Sequence, residues 1–273
     1  MRYRVPILTI LVVTFTTIGM QAAQAAPPTN DTFANATTVT EPLPFTNSVD
    51  TTQATVDATD PACAQIGFGP QNTVWYSYTP SSSGFVQANT FGSDYDTTLW
   101  VGTGSAGNFT EVGCNDDTSG GTTGLESKVI WDASASTTYY IMAGTCCGGG
   151  TNGGNLELTV DTSAPPFTID DLTISGGKVT PKTGEAVISG SITCSNGPGS
   201  VELDVFVSQR IGRATVQGDG FDFFDCSGTQ SWNITVEPFN GLFVAGRAHV
   251  EADAFGPDDS FFFTDATIRL RGH

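Results

Sequence analysis

Residues 91–117 alternate twice and stop twice, and that rhythm narrows what the chain can fold into. Thr97, Leu99 and Val101 alternate with Thr98 and Trp100, the period of two that suits a half-buried strand. The pattern breaks at Gly102 and Gly104, resumes through Thr110, Val112 and Cys114, and ends at Asn115-Asp116-Asp117. Two such strands, side by side, make a hairpin. Asp94 and Asp96 stand just before the first strand, and Asp116 and Asp117 just after the second. Pairing therefore gathers acidic groups at one end. Carboxylates that close repel one another unless they reach solvent or share a cation.

The same period recurs on both sides. Val74, Tyr76 and Tyr78, then Val86, Ala88 and Thr90, then Val129 and Trp131, Tyr139 and Ile141, and Leu156 and Leu158 each alternate with other positions. Glycine-rich or Pro/Ser-rich stretches at 80–84, 102–107, 119–124 and 148–154 punctuate them. Only residues 31–38 offer a helical turn, with Phe33 facing inward. After the prolines at 165 and 166, alternation returns through Ile188 and Ile192, then Val201 to Val207, Trp232 to Val236, Val244 to Ala252, and Thr264 to Leu270. Gly197-Pro198-Gly199, residues 218–220 and Gly256-Pro257 read as turns. The expected fold class is all-β: two sandwiches in tandem, at 27–161 and 168–273, joined by a linker at 162–167. Limited proteolysis is expected to cut first in that linker.

The start of the chain has another character. Arg2 and Arg4 precede an apolar run, and small residues at 22–26 offer cleavage sites, so residues 1–26 read as a secretory signal peptide. Past it the chain carries 8 basic and 28 acidic residues, 8 − 28 = −20. Such a charge disfavours nucleic acid and anionic membranes as partners. The mature protein is expected to be secreted and monomeric.

Six segments in order carry a resemblance: NDTFANA, ATVDATDPAC, TVWYSYTPSSSGFV, TFGSDYDTTLWVGTG, VGCNDD and TTYYIMAG. Together they resemble the bacterial pre-peptidase C-terminal domain family over residues 27–161. The resemblance implies a jelly-roll-like sandwich on a secreted protein, and calcium in the members that bind it. Carried onto this sequence, the calcium ligands are Asn30 and Asp31 with Asp57 and Asp60; Pro27, Pro28 and Thr29 replace the acidic residues that precede them in those members. The hairpin set, Asp94, Asp96, Asn115, Asp116 and Asp117, is a second candidate, with turn capping as the alternative. In the second half, Cys194, Cys226-Ser227-Gly228, Trp232 and the run from Gly246 to Ala252 resemble a small secreted bacterial family of unknown function, which implies an immunoglobulin-like or similar sandwich and no activity.

Six cysteines in an oxidising compartment read as disulfides. Pairing within halves gives Cys194 with Cys226; in the first half Cys63 and Cys114, which lie beside the two acidic motifs, are paired, leaving Cys146 and Cys147 either joined to each other or bridged elsewhere. Two histidines, His249 and His273, are poor material for a nucleophile system, and no HExxH, GxSxG or phosphate-loop motif occurs. Paired carboxylates could still serve glycoside hydrolysis, since they need only geometry. The leading expectation is a non-catalytic binding or adhesion module, calcium-stabilised, that contacts an extracellular protein or polysaccharide. Trp75 and Tyr140, on outward parity, are its candidate ligand contacts unless a loop covers them. A glycan hydrolase component and a purely structural exterior protein are the alternatives.

Overall fold

The computed structural model describes residues 26–63, 69–118, 124–146 and 153–272. The expected signal peptide, apart from Ala26, lies outside these residues, as do Cys147 and His273. The protein is all-β. The helical turn expected at 31–38 is a single 3-10 turn, Phe33–Asn35, and a strand takes over directly after it.

The first half holds β1 (Thr37–Val39), β2 (Phe45–Asp50), β3 (Gln71–Tyr78), β4 (Gly84–Asn89), β5 (Thr97–Ser105), β6 (Asn108–Asn115), β7 (Lys128–Ala133), β8 (Tyr139–Thr145) and β9 (Asn155–Thr162). They form two sheets, β1-β3-β8-β5-β6 and β2-β9-β4-β7. Period-two alternation supplies the inner faces. Val74, Tyr76, Leu99, Val101 and Ile141 come from one sheet, and Val86, Ala88, Trp131, Leu156 and Leu158 from the other, all buried in one cluster. Each of the aliphatic side chains larger than alanine contributes about 1.5–3 kcal/mol on leaving water, which makes this the main stabilising layer of the half.

The second half has β10 (Thr168–Val179), β11 (Ala186–Ile211), β12 (Ala214–Pro238), β13 (Gly246–Phe255) and β14 (Phe261–Gly272), in the order β10-β14-β13-β11-β12. β11 is long because it serves both layers: its first part pairs with β10, its later part with β13, and β12 follows it along both. The register slips between Cys194 and Gly199, and the Cys194–Cys226 disulfide clamps the strands there. The sheet thus folds over its own core of Ile188, Ile192, Leu203, Val205, Trp232 and Val250. Its far edges return to each other, the Phe239 N–H donating to Gln217 O at 2.8 Å.

Two expectations need correction here. Gly197-Pro198-Gly199 is not a chain reversal but lies inside β11 at its register slip, and residues 218–220 are not a turn but lie inside β12. A Cβ on Gly218 would stand 2.1 Å from Glu237 O, and one on Gly220 would stand 2.1 Å from Thr235 O. Glycine sits there because two backbones meet, a use that composition cannot separate from a turn. The chain reverses instead between Ile211 and Ala214, with Gly212 at φ +61°.

The halves share no sheet, but they touch. Lys128, the lone basic residue of the acidic first half, places Nζ 2.7 Å from Asp258 Oδ1. Asp258 Oδ2 accepts the Phe167 N–H at 3.0 Å, and Asn115 Nδ2 donates to Asp259 Oδ2 at 3.3 Å. Burial alone would raise the Asp258 pKa, but the bonds from Lys128 and Phe167, with the lysine charge, hold it below the ordinary value.

Candidate functional site

The hairpin of β5 and β6 forms as its alternation implies, and its end collects Asp96, Asp116 and Asp117. Burial first, then the charges of Asp117 and Asp96, push the Asp116 pKa up to about 6. Asp96 is raised as well, by burial and then by Asp117. The Thr98 hydroxyl donates to Asp116 Oδ1 at 3.4 Å, while Asp96 Oδ1 is buried with no hydrogen-bond partner among the described residues. Asp116 Oδ2 also lies 3.0 Å from Cys146 Sγ. Cys146 is disulfide-bonded, so its sulfur has no proton to give and is no thiolate ligand. Asp96, Asp116 and Cys146 hold ligand-type atoms within 4.8 Å of one another, but only the two carboxylates are hard-cation donors. Asp94 is turned elsewhere, its carboxylate accepting Asn155 N–H at 2.7 Å. Asn115 accepts Lys128 N–H at 2.9 Å and so anchors the hairpin to β7.

The other acidic set fastens a loop. Asn30 is buried and donates through Nδ2 to Trp75 O at 3.1 Å. Asp31 takes both the N–H and the hydroxyl of Thr55, at 2.6 and 2.8 Å. Asp57 accepts Thr59 N–H at 2.9 Å and the Thr59 hydroxyl at 2.8 Å, and these backbone and side-chain bonds lower its pKa. Asp60 accepts the Thr73 hydroxyl at 2.6 Å, Trp75 Nε1–H at 3.2 Å and Asp57 N–H at 3.0 Å. These side chains lace residues 51–60 onto β3, the turn-and-loop work that short acidic side chains do well.

Trp75 is a correction. It is fully buried, flanked by Phe33 at 5.3 Å and Phe109 at 5.4 Å between ring centroids, so it offers nothing to a ligand. Phe109 also packs on Trp100, and half-buried Tyr140 packs on Phe33 at 4.5 Å. The outward face of the first sheet thus carries a small core of its own above the Cys63–Cys114 disulfide.

The exposed aromatic surface lies in the second half, where the sequence reading did not place it. On the outward face of β12, β11, β13 and β14, register sets Phe223, Glu202, Phe255 and Phe261 in one cross-strand row. The next row holds Phe221, Asp204, Asp253 and Phe263, and the third Asp219, Phe206, Glu251 and Asp265. Phe221 is 64% exposed, Phe223 58%, Phe261 53%, Phe263 49% and Phe255 45%. Phe221 meets Phe223 edge-on at 6.0 Å, and Phe255 meets Phe261 at 5.1 Å. Asp253, between them, has a raised pKa because burial and the charges of Asp204 and Glu251 disfavour its anion. The signal for this face was present as Phe221-x-Phe223 and Phe261-x-Phe263, but an alternating phenylalanine reads first as core. His249 follows in the next row, its Nε2 3.1 Å from Glu251 Oε1.

No protein-family model and no curated protein matches the chain. Among solved structures it is similar to a Bifidobacterium dentium β-glucuronidase complexed with coumarin-3-O-glucuronide, at TM-score 0.26 and 12% identity over 72% of this chain and 39% of that one. A Ruminococcus gnavus β-glucuronidase gives TM-score 0.25 and 12% identity over 72% and 35%. An Eisenbergiella tayi GH2 β-galacturonidase bound to glycerol gives 0.24 and 9% over 75% and 36%. The chain therefore spans little more than a third of each of these proteins, and at such TM-scores the likeness bears on neither activity nor substrate.

Proposed function

We propose that the chain is a secreted, non-catalytic binding module that contacts an extracellular protein or polysaccharide through the outward face of β12, β11, β13 and β14. One observation carries the reading: five phenylalanines, each about half exposed or more, share two adjacent cross-strand rows as two groups, Phe221 with Phe223 and Phe255 with Phe261 and Phe263, flanking the carboxylates of β11. Clustered exposed aromatic area of this kind marks an interaction surface, because leaving it in water costs stability that folding alone does not require. Covering the exposed half of each ring is worth about 1 kcal/mol, and the carboxylates between the rings fix orientation and polarity.

The pre-peptidase C-terminal resemblance belongs to the same proposal, with the first half as a sturdy secreted carrier. Calcium enters as its stabiliser. The hairpin end at Asp96, Asp116 and Asp117 is the candidate: three carboxylates gather there and Asp96 Oδ1 is buried with no hydrogen-bond partner among the described residues, whereas Asp31, Asp57 and Asp60 are used to fasten a loop.

The test is retention of the full chain on immobilised collagen, chitin, cellulose and peptidoglycan, with and without a chelator. Wild type should be held by at least one matrix, and Phe221→Ser/Phe263→Ser should lose about tenfold or more in affinity while melting normally. Retention that the double substitution leaves untouched contradicts the proposal.

A further inference from the structure

We infer that the cleft between β10 and β14, with the arginines beside it, is an anion site that takes an acidic polysaccharide. The inference stands on different residues from the phenylalanine rows. Seven of the eight basic residues beyond residue 26 lie in the second half, and five of them gather at one end of it. Lys178 on β10 is the register partner of Arg271 on β14, and Arg269 that of Arg247 on β13. Arg210 of β11 shares a shallow depression with Arg247, and Thr267 lines both this depression and the cleft. The five cations thus form one track running across four strands, about 14 Å at the usual strand spacing.

Among the described residues, none of the five makes an ion pair with a carboxylate. That is unusual in a chain where acidic groups outnumber basic ones by 28 to 10. Like charges directly opposite on neighbouring strands also destabilise a sheet. The track is held against its own repulsion, and a bound anion would relieve it.

The cleft gives the anion a seat. β10 and β14 pair only through Gly177, Lys178 and Val179 with Leu270, Arg271 and Gly272, and they diverge before that. The gap they leave measures about 450 Å³ and is floored by Ser175, Gly176, Gly177 and Ser189. A side chain on Gly176 would meet open space, so the floor is low and admits a chain close to the backbone. Guanidinium forks match carboxylate and sulfate oxygens two at a time.

Nucleic acid fits less well. No Phe, Tyr or Trp lines the cleft or the depression, His249 beside them is engaged by Glu251, and a chain of net −20 past residue 26 lacks the broad basic surface such ligands need. A flexible acidic glycan needs only the local track, since at physiological salt the rest of the charge is screened beyond about 8 Å.

Affinity electrophoresis of the full chain through alginate, dextran sulfate and neutral dextran tests this. Alginate or dextran sulfate, the first reporting carboxylate and the second sulfate, should retard the wild type at about 50 mM salt and lose it as salt rises severalfold. Neutral dextran should not. Lys178→Gln/Arg269→Gln/Arg271→Gln should weaken retardation about tenfold or more. Phe221→Ser/Phe263→Ser should leave it unchanged, which separates this site from the phenylalanine face. No retardation by either polyanion, retardation insensitive to salt or to the triple substitution, or tighter binding of single-stranded DNA than of either glycan would overturn the inference.

Discussion

Replacing Asp116 by asparagine should stabilise the protein at neutral pH and leave it unchanged in acid. The folded pKa of Asp116 is raised from 3.8 to about 6, by burial and then by Asp117 and Asp96. A carboxyl whose folded pKa lies above its unfolded one binds its proton more tightly in the fold. Its full stability is therefore present below about pH 4 and is lost as pH rises through about 6. The shift of roughly two units corresponds to at most about 3 kcal/mol, and solvent screening of a half-exposed group reduces this to about 1 kcal/mol. Asparagine keeps an oxygen for the Thr98 hydroxyl and offers an N–H toward the Cys146 sulfur. Thermal melts at pH 4 and pH 8 should show no gain at the first and about 3 °C at the second. Millimolar calcium should raise the wild-type midpoint and narrow that difference, because a cation neutralises the same repulsion. An equal shift at both pH values, or a loss at pH 8, would refute the electrostatic account of this cluster. A wild-type midpoint indifferent to calcium and chelator would remove the metal from it.

Three further perturbations follow from the packing. Gly220→Val drives a side chain into Thr235 O, which a Cβ would already approach to 2.1 Å, and should cost about 3 kcal/mol or prevent folding of the second half in urea titration; a loss below about 1 kcal/mol would mean the two backbones do not meet there. Cys63→Ala/Cys114→Ala opens a link between residues 51 apart and should lower stability by about 4 kcal/mol, read in the same titration. Lys128→Ala removes the tie to Asp258 and should speed proteolysis between Thr162 and Phe167 while moving the melting of either half by less than about 1 kcal/mol, whereas an unchanged cleavage rate would show that the tie does not restrain the linker.

Period-two alternation was enough to read the sandwich class, because inward Leu99, Val101, Leu156 and Ile188 announce themselves by spacing alone. The Cys194–Cys226 pair followed from pairing within halves, and the Cys63–Cys114 pair from the place of both cysteines beside the two acidic motifs. Long-range approach is what the sequence concealed. Gly218 and Gly220 resemble turn residues until Glu237 and Thr235 are brought beside them. Trp75 has outward parity, yet Phe33 and Phe109 arrive from distant segments to bury it. The phenylalanine rows and the cationic track are assembled by cross-strand register, which joins residues as distant as Lys178 and Arg271 and which the local Phe-x-Phe spacing does not reveal.

The central claim, that the phenylalanine face is the contact surface, is tested most directly by hydroxyl-radical footprinting of the chain free and bound to whichever matrix retains it. The account predicts that oxidation of Phe221, Phe223, Phe255, Phe261 and Phe263 falls together on binding, while exposed Phe239, outside the rows, is oxidised as before. Binding that leaves those five rings as reactive as in the free protein would contradict it.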